Sequence, residues 1–143
     1  MIAFRQKNGV EVAVVIINSL QGYDVAQYNF GLAEQWGIGK TGEDNGVSFL
    51  IAIDDRKMNI STGYGLEDFV PDALAKRIIE TVVKPEFKQG NYFAGISKGL
   101  EAIEGLVMGK FKAEDFQGKK KKNKWFTWVW VGLFMIYLII KRQ

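Results

Sequence analysis

The chain has 143 residues, enough for one domain with a core of its own. It contains no cysteine and no histidine, which excludes disulfides, thiolate metal sites and thiol nucleophiles, and removes the usual general base and the commonest ligand of zinc, copper and iron. The net charge of +3 hides a segregation: residues 1–117 hold all 16 acids against twelve of the 19 bases, a balance of −4, and the tail beyond carries the other seven bases.

In chain order, MIAFRQKNG at 1–9 reads as the last turns of an amphipathic helix closed by Gly9. Nothing ahead of it resembles a signal peptide, so the start of the domain is expected to be truncated. EVAVVIIN at 11–18 is β-branched and almost uninterrupted, the pattern of a strand buried on both faces. Asp24, with Gln27 three residues on, opens a helix whose inner face carries Val25, Tyr28, Leu32, Ala33 and Trp36. VSFLIAI at 47–53 is a second apolar strand. Strand, helix, strand is a crossover unit, so the two strands are expected to be parallel with a right-handed connection.

DDRK at 54–57 then makes a tight turn into a returning antiparallel strand, with Met58, Ile60, Thr62 and Tyr64 on one face. After Pro71 the period becomes helical: Leu74, Ile78 and Val82 share a face, and Pro85 lies near that helix's end. Gly90-Asn91 separates it from a last amphipathic helix marked by Phe93, Ile96, Leu100, Ile103 and Val107. The expected architecture is a small mixed sheet covered by helices, with a domain over 1–110 and a polar, lysine-rich linker over 111–124.

From Trp125 to Ile140 the sequence reads WFTWVWVGLFMIYLII, without a charge. As a helix it rises about 24 Å, somewhat short of the ~30 Å hydrocarbon core of a bilayer. Tryptophans at one end and Lys141-Arg142 at the other suit interfacial anchoring, so 125–140 is expected to be a single transmembrane helix. GKKKKNK at 118–124 has no interleaved aromatic residues to stack bases. Anionic lipid headgroups, and not nucleic acid, are its expected partner. The lysine bias by itself places the folded domain on the cytoplasmic side.

Gly37, Gly39 and Gly42 spell G-x-G-x-x-G, but a helix precedes them and a strand follows, the reverse of a phosphate-binding loop. No nucleotide is expected. The acids are more informative, because they come in three pairs: Glu43-Asp44, Asp54-Asp55 and Glu67-Asp68. Topology divides them. Asp54-Asp55 belongs at one end of the sheet with Asp24, where turn and cap chemistry explain all three. Glu43, Asp44, Glu67 and Asp68 belong at the other end, with Asn45 and Asp72 adding oxygens and Gly42, Gly46, Gly63 and Gly65 allowing close backbone approach. That end reads as a cation or substrate site, the alternative being solvated turns. With neither histidine nor cysteine, the cation would be calcium or magnesium, and zinc and haem are not expected.

The same stretches carry a resemblance. WGIG at 36–39, DNG at 44–46, DDRK at 54–57, GYGLE at 63–67, PDA at 71–73 and RIIETVVKPEFKQGNYFAGISKGLEAI at 77–103 resemble the TPM domain family. That family includes bacterial membrane proteins of the YgcG type and a plant thylakoid-lumen protein of photosystem II repair. The resemblance runs from about Val10 to Val107. It implies an α/β/α sandwich, extracytoplasmic (periplasmic) placement, C-terminal membrane anchoring, divalent-cation binding and, in the plant branch, acid phosphatase activity.

Two functional classes follow. One is a membrane-anchored accessory or assembly factor whose cation stiffens loops that contact a membrane-protein complex. The other is a metal-dependent acid phosphatase, with Asp44 and Glu67 as metal ligands, Asp72 as acid or base and Arg77 steadying phosphate charge. The accessory factor is favoured, because no nucleophile and base can be paired in the sequence.

Overall fold

The computed structural model describes residues 2–7, 9–39, 42–118 and 141. The first element corrects the sequence reading. Ile2–Lys7 is a strand, β1, paired antiparallel with β2, Val10–Ile17, with Lys7 opposite Val10. Only residues 8 and 9 lie between them, and Gly9 has φ +78°. Asn-Gly between two strands is a hairpin signal, because a two-residue turn matching the strand twist needs positive φ. The glycine read as a helix cap is therefore a hairpin residue.

The rest of the sheet follows its patterning. β2 pairs parallel with β3, Gly46–Ala52, in a register running from Glu11–Gly46 to Ile17–Ala52. The crossover is helix α1, Val25–Trp36, whose N-cap Asp24 accepts from the amides of Ala26 and Gln27. β4, Lys57–Thr62, returns antiparallel to β3, and the order β1-β2-β3-β4 leaves β4 at an edge. β3 is buried along its whole length, as a central strand covered on both faces must be.

Helices cover both faces of this mixed sheet, so the fold is α/β with three layers. Alternation along the strands sends Val12, Val47, Phe49, Ile51 and Ile60 to one face, and Val15, Leu50 and Ala52 to the other, against α1. The first face packs on α2, Asp72–Ile78, and α4, Tyr92–Val107. Phe49, Leu50 and Ile78 have no exposed surface, and each such side chain contributes about 1.5–3 kcal/mol.

Two helical expectations shift. α2 does not stop near Pro85; it passes through a π turn, Ile79–Val83, into α3, Lys84–Lys88. Proline has no N–H to give and its ring crowds the carbonyl four residues back, and a widened turn lets the helical path continue. The extra residue rotates the buried face, so Ile78, Ile79 and Val83 are buried and Val82 is half-buried. In α4, Leu100, Ile103 and Leu106 face the core, while Phe93 is 85% exposed. Gly95 and Gly99 abut Phe87 and Val83 instead, and this close approach sets the inner face.

The fold also continues past residue 110. Ala113–Phe116 is a 3₁₀ turn in the stretch read as linker, and its Phe116 is buried, with its ring edge-on to Phe111 at 5.8 Å. Among the described residues no helix is long and apolar enough to cross a membrane. The run from Trp125 to Ile140, expected to span one, and the lysines from 119 to 124 lie outside the described residues.

Candidate functional site

At the end of the sheet where β2 and β3 begin, two loops cross in direct backbone contact. The loop 37–45 descends from α1 into β3, and the loop 63–71 leaves β4 for α2. Gly63 donates its amide to the carbonyl of Gly46 at 2.8 Å, and Gly65 donates to that of Asp44 at 3.1 Å. No side chain fits at the crossing. A Cβ on Gly63 would lie 2.2 Å from the Asp44 carbonyl oxygen, and one on Gly46 would lie 2.3 Å from that of Ile38. The glycines of the two motifs are there because backbone occupies the space of their side chains. The Asp44 and Gly46 carbonyls accept hydrogen bonds within this crossing.

The crossing fixes Asp44 and Glu67 on opposite loops of one groove of ≈ 710 Å³ that runs along β4 between α1 and α2. Asp72 and Lys76, one turn apart on α2, and Glu34 of α1 also line it. The carboxylates of Asp44, Glu67 and Asp72 are exposed and make no hydrogen bond or ion pair among the described residues. Among the described residues, four acids and one base line the groove at this end.

The other sequence-predicted residues lie elsewhere or have other work. The Asn45 side chain donates to the carbonyl of Gly9 and, at 3.0 Å, to Glu43, tying the β1–β2 turn to the start of β3. Glu43, Asn45 and Asp68 do not line the groove. Neither does Arg77, expected to face phosphate; among the described residues the cation lining the groove is Lys76, one position earlier on α2. Among the described residues no three carboxylates are close enough to hold a metal ion by themselves. At the opposite end, Asp55 accepts from the Leu20 amide at 2.5 Å and the Ser19 hydroxyl at 3.4 Å. That aspartate braces the β2–α1 loop, in keeping with the structural role expected of the Asp54-Asp55 turn. The G-x-G-x-x-G stretch leads from helix into strand, as read, with Gly37 as the left-handed cap of α1.

The sequence reading missed Asn29. It sits on the inner face of α1, fully buried, donating to the Ser48 carbonyl at 2.9 Å and the Asn59 side chain at 2.8 Å, and accepting from the Ser48 hydroxyl at 2.6 Å. Ser48 and Asn59 floor the groove, so this satisfied network sets the seat of α1 beneath it. Its signal was a lone amide inside the apolar stripe of Val25, Tyr28 and Leu32.

The model of the TPM domain matches residues 1–106. Among solved structures, the chain is similar to the N-terminal domain of a protein from P. gingivalis, determined by solution NMR. The identity is 38% and the TM-score 0.64, over 71% of this chain and 64% of that one. The chain thus spans about two-thirds of that domain's length. It is also similar to the BA42 protein of the psychrophilic bacterium Bizionia argentinensis, at 22% identity and a TM-score of 0.61, over 78% of this chain and 77% of that one; at that identity the likeness is one of fold. No curated protein matches the chain. The glycine crossing, the sheet that carries it and the match over residues 1–106 lead to one conclusion: the chain belongs to the TPM domain family.

Proposed function

We propose that this TPM domain is a divalent-cation-binding module that is tethered to a membrane by the apolar run after Trp125 and works through protein partners. The observation that carries this reading is the pair of carboxylates, Asp44 and Glu67, that have no partner among the described residues and are held by crossed backbones on opposite loops of one groove. The donor set is all oxygen, which suits calcium or magnesium. Two carboxylates leave the remaining ligands to water and backbone, so modest affinity is expected. A bound cation relieves repulsion between the acids and joins the two loops into one stiff surface.

Thermal melts of the purified full-length chain test this, with calcium, with magnesium and after chelation. At a hundredfold excess over Kd, a cation that binds only the folded form adds about 2.7 kcal/mol. Asp44→Asn and Glu67→Gln are expected to abolish that gain, and Asp55→Asn to retain it. A gain lost in Asp55→Asn alone would move the site to the other end of the sheet. No gain in the unmodified chain would leave the groove's acids as solvated turns.

A second reading, a metal-dependent acid phosphatase, rests on Asp72 and Lys76 lining the same groove. Asp72 would exchange a proton with water or leaving group, and Lys76 would hold phosphate charge. The cation, when bound, would polarise a phosphoryl oxygen. Hydrolysis of a phosphate monoester at acidic pH that disappears in Asp72→Asn separates this reading from the first.

A further inference from the structure

A second pocket, of ≈ 380 Å³, lies where the β3–β4 turn and the first residue of α1 meet the helical path of α2. Four cations line it: Arg56 from the turn, Lys57 at the start of β4, Lys76 from α2 and Lys84 at the start of α3. Lys84 pairs with Glu80, which is the one acid lining the pocket among the described residues. The side chains of Arg56, Lys57 and Lys76 make no hydrogen bond or ion pair among the described residues. Acids of the adjoining segments are engaged or turned away. Asp55 accepts from the Leu20 amide and the Ser19 hydroxyl, Asp24 caps α1, and neither Asp54 nor Asp72 lines the pocket.

The backbone of Arg56 points the same way. Its amide closes the turn on the carbonyl of Ile53 at 3.2 Å, and its φ is +51°. A side chain makes this left-handed conformation unfavourable, and turns usually give the position to glycine or asparagine. An arginine kept there costs stability that a glycine would restore, so the local fold does not account for the residue type.

We propose that this pocket binds a phosphate group carried on a small apolar body. A phosphate monoester brings nearly two negative charges and three acceptor oxygens, enough to engage several cations at once, where a carboxylate brings one charge and two oxygens. The Arg56 guanidinium matches two of the phosphate oxygens with its planar fork, and Lys57 and Lys76 supply the remaining charge. Val25, Met58 and Ile79 complete the lining and take the apolar body, and the volume suits a small ligand. Lys76 also lines the groove of Asp44 and Glu67, but Arg56 and Lys57 do not, so an effect at Arg56 belongs to this pocket. The inference does not rest on cation binding, and its test is run with a chelator present.

The test follows the resonances of Arg56, Lys57 and Met58 by NMR in the full-length chain, held in neutral detergent. The probes are phenylphosphonate, whose carbon–phosphorus bond resists hydrolysis, and phosphatidic acid mixed into the detergent. Saturable shifts at these residues are expected with a phosphate-type probe. A response to both probes assigns the pocket to small phosphate-bearing molecules as well, and a response to phosphatidic acid alone assigns it to a lipid headgroup. Arg56→Gly is expected to weaken binding about tenfold or more, the loss of one bidentate charged contact, while its denaturation midpoint stays the same or rises. Lys57→Met is expected to weaken binding in the same direction. Absence of saturable shifts with either probe would overturn the proposal. So would unchanged affinity in Arg56→Gly, or a lowered midpoint in that variant, which would make the arginine a structural residue of the turn.

Discussion

The two ends of the sheet carry the same residue types and use them in opposite ways. Where β2 and β3 end, Asp55 and Asp24 take hydrogen bonds from the Leu20, Ala26 and Gln27 amides, and each brings a loop or a helix start to rest. Where these strands begin, glycine backbone does the fastening, through Gly63 to Gly46 and Gly65 to Asp44. The carboxylates of Asp44, Glu67 and Asp72 are thereby left facing a groove. A carboxylate that satisfies its own backbone is structure; one left over after the backbone has satisfied itself is available for a ligand. The contrast also explains why the glycines concentrate at one end.

The largest effect should come from breaking the crossing. Gly63→Val places a branched side chain where the Asp44 carbonyl lies 2.2 Å from the Cβ position. Because the atoms met are backbone and cannot turn aside, the cost should lie at or above the upper end of ordinary overpacking, about 3 kcal/mol or more, read as a lower denaturation midpoint, and should take any cation response with it. A smaller effect separates the two ends. Asp55→Ala should cost about 1.5–3 kcal/mol through the lost charged hydrogen bond, whereas Asp44→Asn, measured in chelator, should stay within about 0.5 kcal/mol of the unmodified chain. Equal losses at both ends would erase the distinction.

The smallest effect concerns a partnered carboxylate away from both ends. Glu86 of α3 is held below its ordinary pKa of 4.5 by hydrogen bonds from Lys98 of α4 and from Asn91. Its stabilising contribution is therefore present above the unfolded value and lost as pH falls through the lower folded one. Lys98→Met should move the Glu86 titration, followed by NMR, back toward 4.5.

Much of this was legible in the chain. Continuous β-branched runs announced β2 and β3 as buried strands, and the helix between them required parallel pairing. The DDRK turn announced the antiparallel return of β4. The first strand was legible too, in Asn8-Gly9 before a strand, but glycine ends helices as readily as it turns hairpins, and only the pairing of Lys7 with Val10 distinguishes them. The inner faces of the later helices were less accessible. A proline-tolerating π turn moves burial from Val82 to Val83, and two small residues in α4 bring a neighbour close enough to turn Phe93 outward. Both depend on how one helix meets another, which periodicity does not carry.

The sequence by itself determined the fold class, the excluded ligand chemistries and the division of the acids between two ends of the sheet. Those follow from local patterning and from residue types that are present or missing. Only the tertiary structure decided which acids share a groove. It grouped Asp44, Glu67 and Asp72 along one groove, engaged Glu43 and Asn45 in holding a turn, and put Lys76 where Arg77 was expected. The reason is that neighbours along a chain point in different directions from strand, turn or helix. A carboxylate's surroundings are set by the loop that crosses it, and that loop comes from elsewhere in the sequence.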